Sequence, residues 1–385
     1  MSKEHLRVLM IAPTPFFADR GCHVRILGEA KALLRRGHEV VICTYHHGRD
    51  ISGIATRRIP NIPWYQKLAA GPSWHKLYLD FFLLIRAFFS ALKFKPDVIH
   101  AHLHEGAFIG KILSIILRKP LLFDYQGSLT AESVDHGFFA DGSRLSRVAS
   151  FIEKRINLWA DVVISSAPQD IGVAKLRVLY DGVDTAIFRP CTADADLRRS
   201  LGIPAGAKAV SYLGILGEYQ GTDILLRTAQ KVIAEIPEAV FLVMGYPHVG
   251  DYQQLSEELG ISENTVFTGR VAYEEAATYL SLGQVAVAPK VSKSEANQKI
   301  LSYMACGLPT VAFDTTVNRE MLGDVGILVP LGDETALAQA LIQLLRSETS
   351  QSNLAKAARR RVEEVFSWDG VGEKLEEIYR ELLDE

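Results

Sequence analysis

The chain has 385 residues, more than one core usually organises, so two domains are expected. Hydrophobic residues make up 48% and charged residues 23%, ample material for a globular core. A formal charge of −3, with no Lys/Arg-rich block, argues against a nucleic-acid partner.

The cysteines Cys22, Cys43, Cys191 and Cys306 are scattered and form no CxxC pair. They read as free thiols in a reducing compartment, not as a disulfide frame or a zinc site. The opening MSKEHLRVLMIAPTP lacks the long apolar core and small-residue cleavage site of a signal peptide. No apolar run reaches the roughly 20 residues that span a bilayer. A cytoplasmic location is expected, with a peripheral place at the inner membrane face as its variant.

LRVLMIAP opens the chain as a buried parallel strand, and TPFFADRG follows as a loop. An amphipathic helix from about His23 to Arg36 leads to the strand EVVICTY, and ATRRIP reads as a third strand. LYLDFFLLIRAFFSALKFK (Leu77–Lys95) is helical and interrupted by Asp80 and Arg86. It reads first as an amphipathic helix packed on a sheet, second as an interfacial helix with Lys93 and Lys95 at a lipid surface. DVIHAH, PLLFDYQG, ADVVISSA and KLRVLYDGVD supply further strands. This alternation predicts a parallel, doubly wound α/β sheet.

Turn residues without periodicity from YDGVDTAIFRP to GIPAG mark a linker. The pattern then restarts with AVSYLGIL, AVFLVMG, NTVFTGRV, QVAVAPK and PTVAFD as strands between helices. The expected division is a first domain over 1–185, a linker over 186–205, a second domain over 206–365 and a tail helix over 366–385 crossing back to the first domain. Two such halves facing a cleft would bind ligands at the carboxyl ends of their strands.

APKVSKSEANQKILSYMACGLPTV carries the densest polar cluster. Ile300, Leu301, Met304 and Ala305 form an apolar stripe, and Gly307 and Pro309 end the helix. Glu295, Lys299 and Ser302 share another face. A helix starting just after VAVAP, with Lys290, Lys293 and Lys299 near its amino end, suits an anion such as a phosphate. The plainer account is a capping box in SKSE and an ordinary Glu295–Lys299 pair. That account leaves Asn297 and Gln298, and the position at a strand end, unexplained, so the anion reading is preferred.

Elsewhere the signals exclude as much as they suggest. There is no GxGxxG, and CTYHHG carries no acid for a ribose, which disfavours a nicotinamide dehydrogenase; no GxxxxGK[ST] occurs either. Gly21 stands on the first strand-to-helix turn, where backbone can approach a ligand. His100, His102 and His104 alternate in DVIHAHLHEG, which places all three on one side and the last two near the loop. HxH beside Glu105 could hold a metal, but no further cluster supports one. The acids at Asp194–Asp196 read as a solvated helix start.

The order and spacing of RGHEV, DVIHAH, YDGVDTAIFRP, SYMACGLPTV, VGILVPLGDETALAQAL and a terminal FSW resemble the retaining glycosyltransferases of family 4 over nearly the whole chain. The resemblance implies the GT-B fold, two Rossmann-like doubly wound parallel-sheet domains. It also implies a first domain for the acceptor, a second for a nucleotide-diphosphate sugar, and neither cofactor nor metal. It puts His102 beside the transferring centre, Glu295 on sugar hydroxyls, Ser302 on the ribose and Gly21 near the phosphate. Arg270, Lys290, Ser294, Asn297, Gln298 and Lys299 complete the expected donor site, with His104 and Gln126 toward the acceptor. The chain departs from the family pattern by placing Ile215 and Gln220 where an arginine and a lysine are usual. Ser294 and Ser302 stand where the paired glutamates fall, and Gln126 replaces a common histidine.

These features together predict a hexosyltransferase with a rearranged phosphate grip, acting on a lipid-linked or glycan acceptor with a possible peripheral membrane contact. A non-catalytic ligand- or partner-binding module and a sugar-nucleotide epimerase are the alternatives.

Overall fold

Short β-branched and aliphatic runs between helices of about four turns leave the chain one economical solution, strands side by side with crossover helices covering them. The computed structural model describes residues 5–19, 21–66, 73–135, 140–166, 168, 171–291 and 297–384. The chain forms two units, Met1–Asp181 with Trp368–Glu385, and Gly182–Ser367.

In the first unit the elements run β1 (Arg7–Ala12), α1 (Gly21–Arg35), β2 (Glu39–Thr44), β3 (Ala55–Arg58), α2 (Lys76–Phe94) and β4 (Val98–His102). They continue with α3 (Leu103–Leu117), β5 (Leu121–Tyr125), α4 (Leu129–Asp135), α5 (Arg144–Asn157), β6 (Val162–Ser165) and β7 (Leu176–Val178). The sheet order is β3-β2-β1-β4-β5-β6-β7, and every pairing is parallel. Alternation along the buried strands sends Leu9, Ile11, Ile99, Ala101, Leu121 and Phe123 to one face, where Leu83 of α2, Leu113 of α3 and Ile156 of α5 meet them in one core.

The second unit contains α6 (Ala195–Ser200), β8 (Lys208–Leu213), α7 (Thr222–Glu235), β9 (Ala239–Met244), α8 (Val249–Glu258), β10 (Thr265–Gly269), α9 (Ala276–Leu280) and β11 (Val285–Ala288). α10 (Lys299–Ala305), β12 (Thr310–Phe313), α11 (Thr316–Leu322), β13 (Ile327–Val329), α12 (Glu334–Arg346) and α13 (Glu348–Val365) follow. Its parallel sheet runs β10-β9-β8-β11-β12-β13. The edge strand β13 has three residues, too few to show periodicity, and the sequence reading passed over it. The stretch read as linker holds α6, whose Asp194 carboxylate accepts from the amides of Asp196 and Leu197, an ordinary cap.

The closing helix, α14 (Trp368–Asp384), belongs to the first unit and lies on α1. Two glycines permit the approach. A Cβ on Gly28 would stand 2.0 Å from the Trp368 indole, and one on Gly372 would stand 2.7 Å from Ala32. Polar clasps reinforce it. Arg36 Nε donates to Glu376 at 2.5 Å, and Arg380 bonds the same carboxylate. Burial raises the Glu376 pKa, but the two arginines outweigh that and bring it down to about 2.

Both sheets reverse direction once, between β1 and β4 and between β8 and β11. Loops leaving the carboxyl ends of strands at such a switch point form the natural ligand crevice of a doubly wound sheet. In the first unit those are the loops after β1 and β4; in the second, those after β8 and β11.

Candidate active site

In the first unit β4 aims two imidazoles to one side of the sheet. His100 and His102 are fully buried and stack with centroids 4.3 Å apart. Asp124 enters from β5, and Arg25 and Glu29, one turn apart, from the inner side of α1. Charged groups this deep must satisfy one another. Arg25 Nε lies 2.9 and 3.0 Å from the two Asp124 oxygens. Its Nη1 donates to Asp181 at 2.7 Å and to the Leu179 carbonyl at 3.0 Å.

Asp124 sets the state of His102. Burial pushes the carboxyl pKa up, but Arg25 and His102 outweigh burial and hold it below the usual carboxylate range. An ionised carboxylate only accepts, so His102 Nδ1 carries the proton it donates to Asp124 Oδ2 at 2.9 Å. Gln126 Nε2 donates to the same oxygen at 2.6 Å. His102 Nε2 is buried without a hydrogen-bond partner, which makes it the ring atom left for a further bond.

His100 is anchored differently, with Nδ1 2.7 Å from the Tyr379 hydroxyl of α14. Burial, with His102 beside it, drives its pKa well down, so the ring is neutral. Burial drives the Glu29 pKa well up against the pull of Arg25. Donor atoms of Glu29, His100, His102 and Asp124 lie within 4.8 Å of one another, close enough for a metal ion. The Arg25 guanidinium already binds both Asp124 oxygens and sits 3.2 Å from Glu29, so the cation this donor set holds is an arginine.

His104 does not join the row. The strand ends at His102 and Leu103 turns left-handed at φ 62°, so alternation stops one residue before His104. His104 is 3% exposed and packs edge-on to Phe123 and Tyr125, on the core side of the sheet. The expectation that it reaches the loop is corrected accordingly. Gly21 is exposed as the first residue of α1.

In the second unit β8 runs into the turn Gly214–Gly221, and α10 stands against it. Tyr303 of α10 accepts a hydrogen bond from the Leu213 amide at 2.7 Å. Lys299, at the head of α10, extends its ammonium over the Tyr212 ring at 4.5 Å and donates to the Gln220 side-chain oxygen at 2.9 Å. A Cβ on Gly214 would come within 2.8 Å of that ammonium. Gly221 has φ +72°, and a Cβ there would lie 1.9 Å from the Pro289 carbonyl, so only glycine lets the β8 turn touch the end of β11.

The remaining donor candidates are scattered over this edge. Lys290 follows Pro289 and is 5% exposed. Arg270, after β10, stacks over Tyr246, 5.5 Å from the ring centroid. Ser302 is buried in α10. Lys293, Ser294 and Glu295, with the SKSE capping box, lie outside the described residues.

The helix itself departs from expectation. α10 begins at Lys299, so Asn297 and Gln298 precede its first turn. Asn297 is buried and donates to Asn318 at 3.1 Å, while Asn318 bonds the Phe313 carbonyl. α10 has seven residues and stops ahead of Gly307. The cation beside the β8 turn is therefore the Lys299 ammonium, carried at the head of a short helix.

Comparison with known proteins meets this geometry. Residues 20–170 match the model of the "Glycosyl transferase 4-like domain" and residues 207–347 that of "Glycosyl transferases group 1". The chain belongs to the group 1 glycosyltransferases, family 4, with the GT-B fold. The transferase is 25% identical to the sulfoquinovosyl transferase SQD2 of Arabidopsis thaliana, over 97% of this chain and 73% of that protein. It is 25% identical to the phosphatidyl-myo-inositol mannosyltransferase of Mycolicibacterium smegmatis, over 97% and 93%.

Among solved structures, sucrose-phosphate synthase from Thermosynechococcus elongatus superposes with a TM-score of 0.82 at 21% identity, covering 98% of this chain and 99% of that one. Anabaena HepE in complex with UDP and glucose gives 0.77 at 18%, covering 97% and 99%. Both share the transferase's fold.

Sequence reasoning missed Arg25, Glu29, Asp124, Asp181 and Tyr379. A signal was present for three of them. Asp124 interrupts the otherwise apolar strand LLFDY, and Arg25 and Glu29 fall within the buried stripe of α1.

Proposed function

We propose that this glycosyltransferase moves a hexosyl unit, with retention, from a nucleotide-diphosphate sugar to a lipid-linked or glycan acceptor in cell-envelope or polysaccharide biosynthesis, without a metal. The observation that carries the reading is the place of the Lys299 ammonium. It bonds the side chain of Gln220, the position where the family resemblance expects a lysine. The cation has changed its point of attachment, from the β8 turn to α10, and kept its place beside that turn. A rearranged grip on a diphosphate has this form.

Lys299, with Arg270 and Lys290 on the same sheet edge, neutralises the diphosphate leaving group. His102, its Nδ1 proton locked by Asp124, offers Nε2 as an acceptor to a hydroxyl of the transferred sugar. Glu295 and Ser302 are assigned to sugar and ribose hydroxyls, Gly21 to the phosphate and Gln126 to the acceptor. HepE was captured with UDP and glucose, which supports a donor of that chemical class. The mycolicibacterial relative is named for a phosphatidylinositol, which supports a lipid acceptor. A cytoplasmic site with a peripheral contact at the inner membrane face fits such an acceptor; no described helix is long and apolar enough to cross a membrane.

Titration calorimetry with UDP tests the reading. Lys299→Ala should weaken binding about tenfold or more, the scale of a lost charge-assisted bond, and adding Gln220→Lys should restore most of it. Unchanged affinity in Lys299→Ala would place the diphosphate elsewhere. If the wild type bound no nucleotide diphosphate, a non-catalytic binding module would be favoured.

A further inference from the structure

Helices α2, α3 and α5 cover the same face of the first sheet. What they turn outward is not a polar surface. Phe81 and Phe89 of α2 are 59% and 62% exposed, Ile115 and Ile116 of α3 are 67% and 56%, and Phe151 of α5 is 60%. Soluble proteins seldom leave so much apolar surface together unless something covers it.

The charge on this layer identifies the cover. Residues 76–95, 103–119 and 144–158 hold eleven Lys/Arg and three Asp/Glu, a formal +8 in a chain of −3. The three acids are engaged within the unit. Asp80 accepts from the Tyr45 hydroxyl, Glu105 from Lys76 and Glu153 from Thr130. The cations Arg86, Lys93, Arg118, Arg147, Lys154 and Arg155 are exposed. Because the sheet is parallel, the three crossover helices run the same way, so Lys93 and Lys95, Arg118 and Lys119, and Lys154 and Arg155 fall at their carboxyl ends along one edge.

We propose that the outer face of α2, α3 and α5 is a single platform that docks on an anionic lipid surface, its aromatic and aliphatic side chains entering the headgroup boundary and its cations pairing with lipid phosphates. A second copy of the chain is the poorer occupant, since two such faces would bring +8 against +8. The platform extends the peripheral contact proposed above from one helix to three and rests on that reading for its biological use.

Pelleting of the full chain with vesicles tests it, without nucleotide or acceptor, so that failure here leaves the transferase reading standing. Wild type should pellet with phosphatidylcholine vesicles containing about a third phosphatidylglycerol, and less as salt rises. Lys93→Glu/Arg118→Glu/Lys154→Glu should cut that partitioning at least about tenfold. Phe81→Ser/Phe89→Ser/Ile115→Ser should cut it comparably, with unchanged melting curves showing both triple variants folded. Absence of wild-type binding to the mixed vesicles, or equal binding to pure phosphatidylcholine that neither variant alters, would overturn the proposal. So would a solution dimer that Phe89→Ser disperses, which would give the face to a second copy.

Discussion

The two units share a parallel doubly wound design and use their side chains in opposite ways. The first buries a polar and ionic network and exposes hydrocarbon among surface cations. Arg25, Asp124, Asp181 and both histidines sit in its interior, and all but one of the exposed large apolar side chains among the described residues are its own. The second keeps its apolar residues inside and holds Lys299, half-buried, against a glycine turn. A buried ion network locks a geometry, here the tautomer and orientation of His102. A lysine on a flexible stem delivers charge and specifies less geometry.

Breaking one partner in each unit tests that contrast most directly. Asp124→Ala should cost about 3–5 kcal/mol of stability in chemical denaturation, because it leaves Arg25 buried with its main partner gone. Lys299→Ala should cost less than about 1 kcal/mol and show itself in nucleotide affinity. Equal losses would erase the distinction. His102→Ala should lower kcat about a hundredfold, near 3 kcal/mol, and leave donor affinity within about threefold. The reverse split would make His102 a ground-state binding residue.

The second unit depends on backbone where the first depends on charge. Gly221→Ala should destabilise it by about 1–3 kcal/mol, since the methyl would meet the Pro289 carbonyl and the left-handed φ would be strained. A neutral substitution there would mean that the β8 turn yields easily.

A pH-dependent effect concerns Asp80. Burial, with Glu105 adding to it, raises this carboxyl to about 7 against the Tyr45 hydrogen bond. A folded pKa above the unfolded value gives stability that is whole below about pH 4 and lost as pH rises toward 7. Asp80 is partly exposed, so the loss should be about 1–2 kcal/mol. Asp80→Asn, which keeps an acceptor for Tyr45, should flatten the decline in melts taken across that range.

The sequence was most legible where local period settles structure. The seven strands of the first sheet follow from their apolar runs and spacing, and five of the six in the second do as well. β13, with three residues, carries no period to read. The place of His102 at the end of β4 was legible from motif and position. His104 was not, because the turn at Leu103 broke an alternation that extrapolation carried through.

By itself, the sequence determined the alternating α/β architecture, the two parallel sheets and membership in the transferase family, since periodicity and motif order are local properties. Tertiary structure alone decided which charges meet. Arg25 reaches Asp124 across 99 residues, Lys299 reaches Gln220 across 79, and Tyr379 reaches His100 across 279. A buried ion has to find its counterpart wherever the fold brings one, and no local pattern records that meeting.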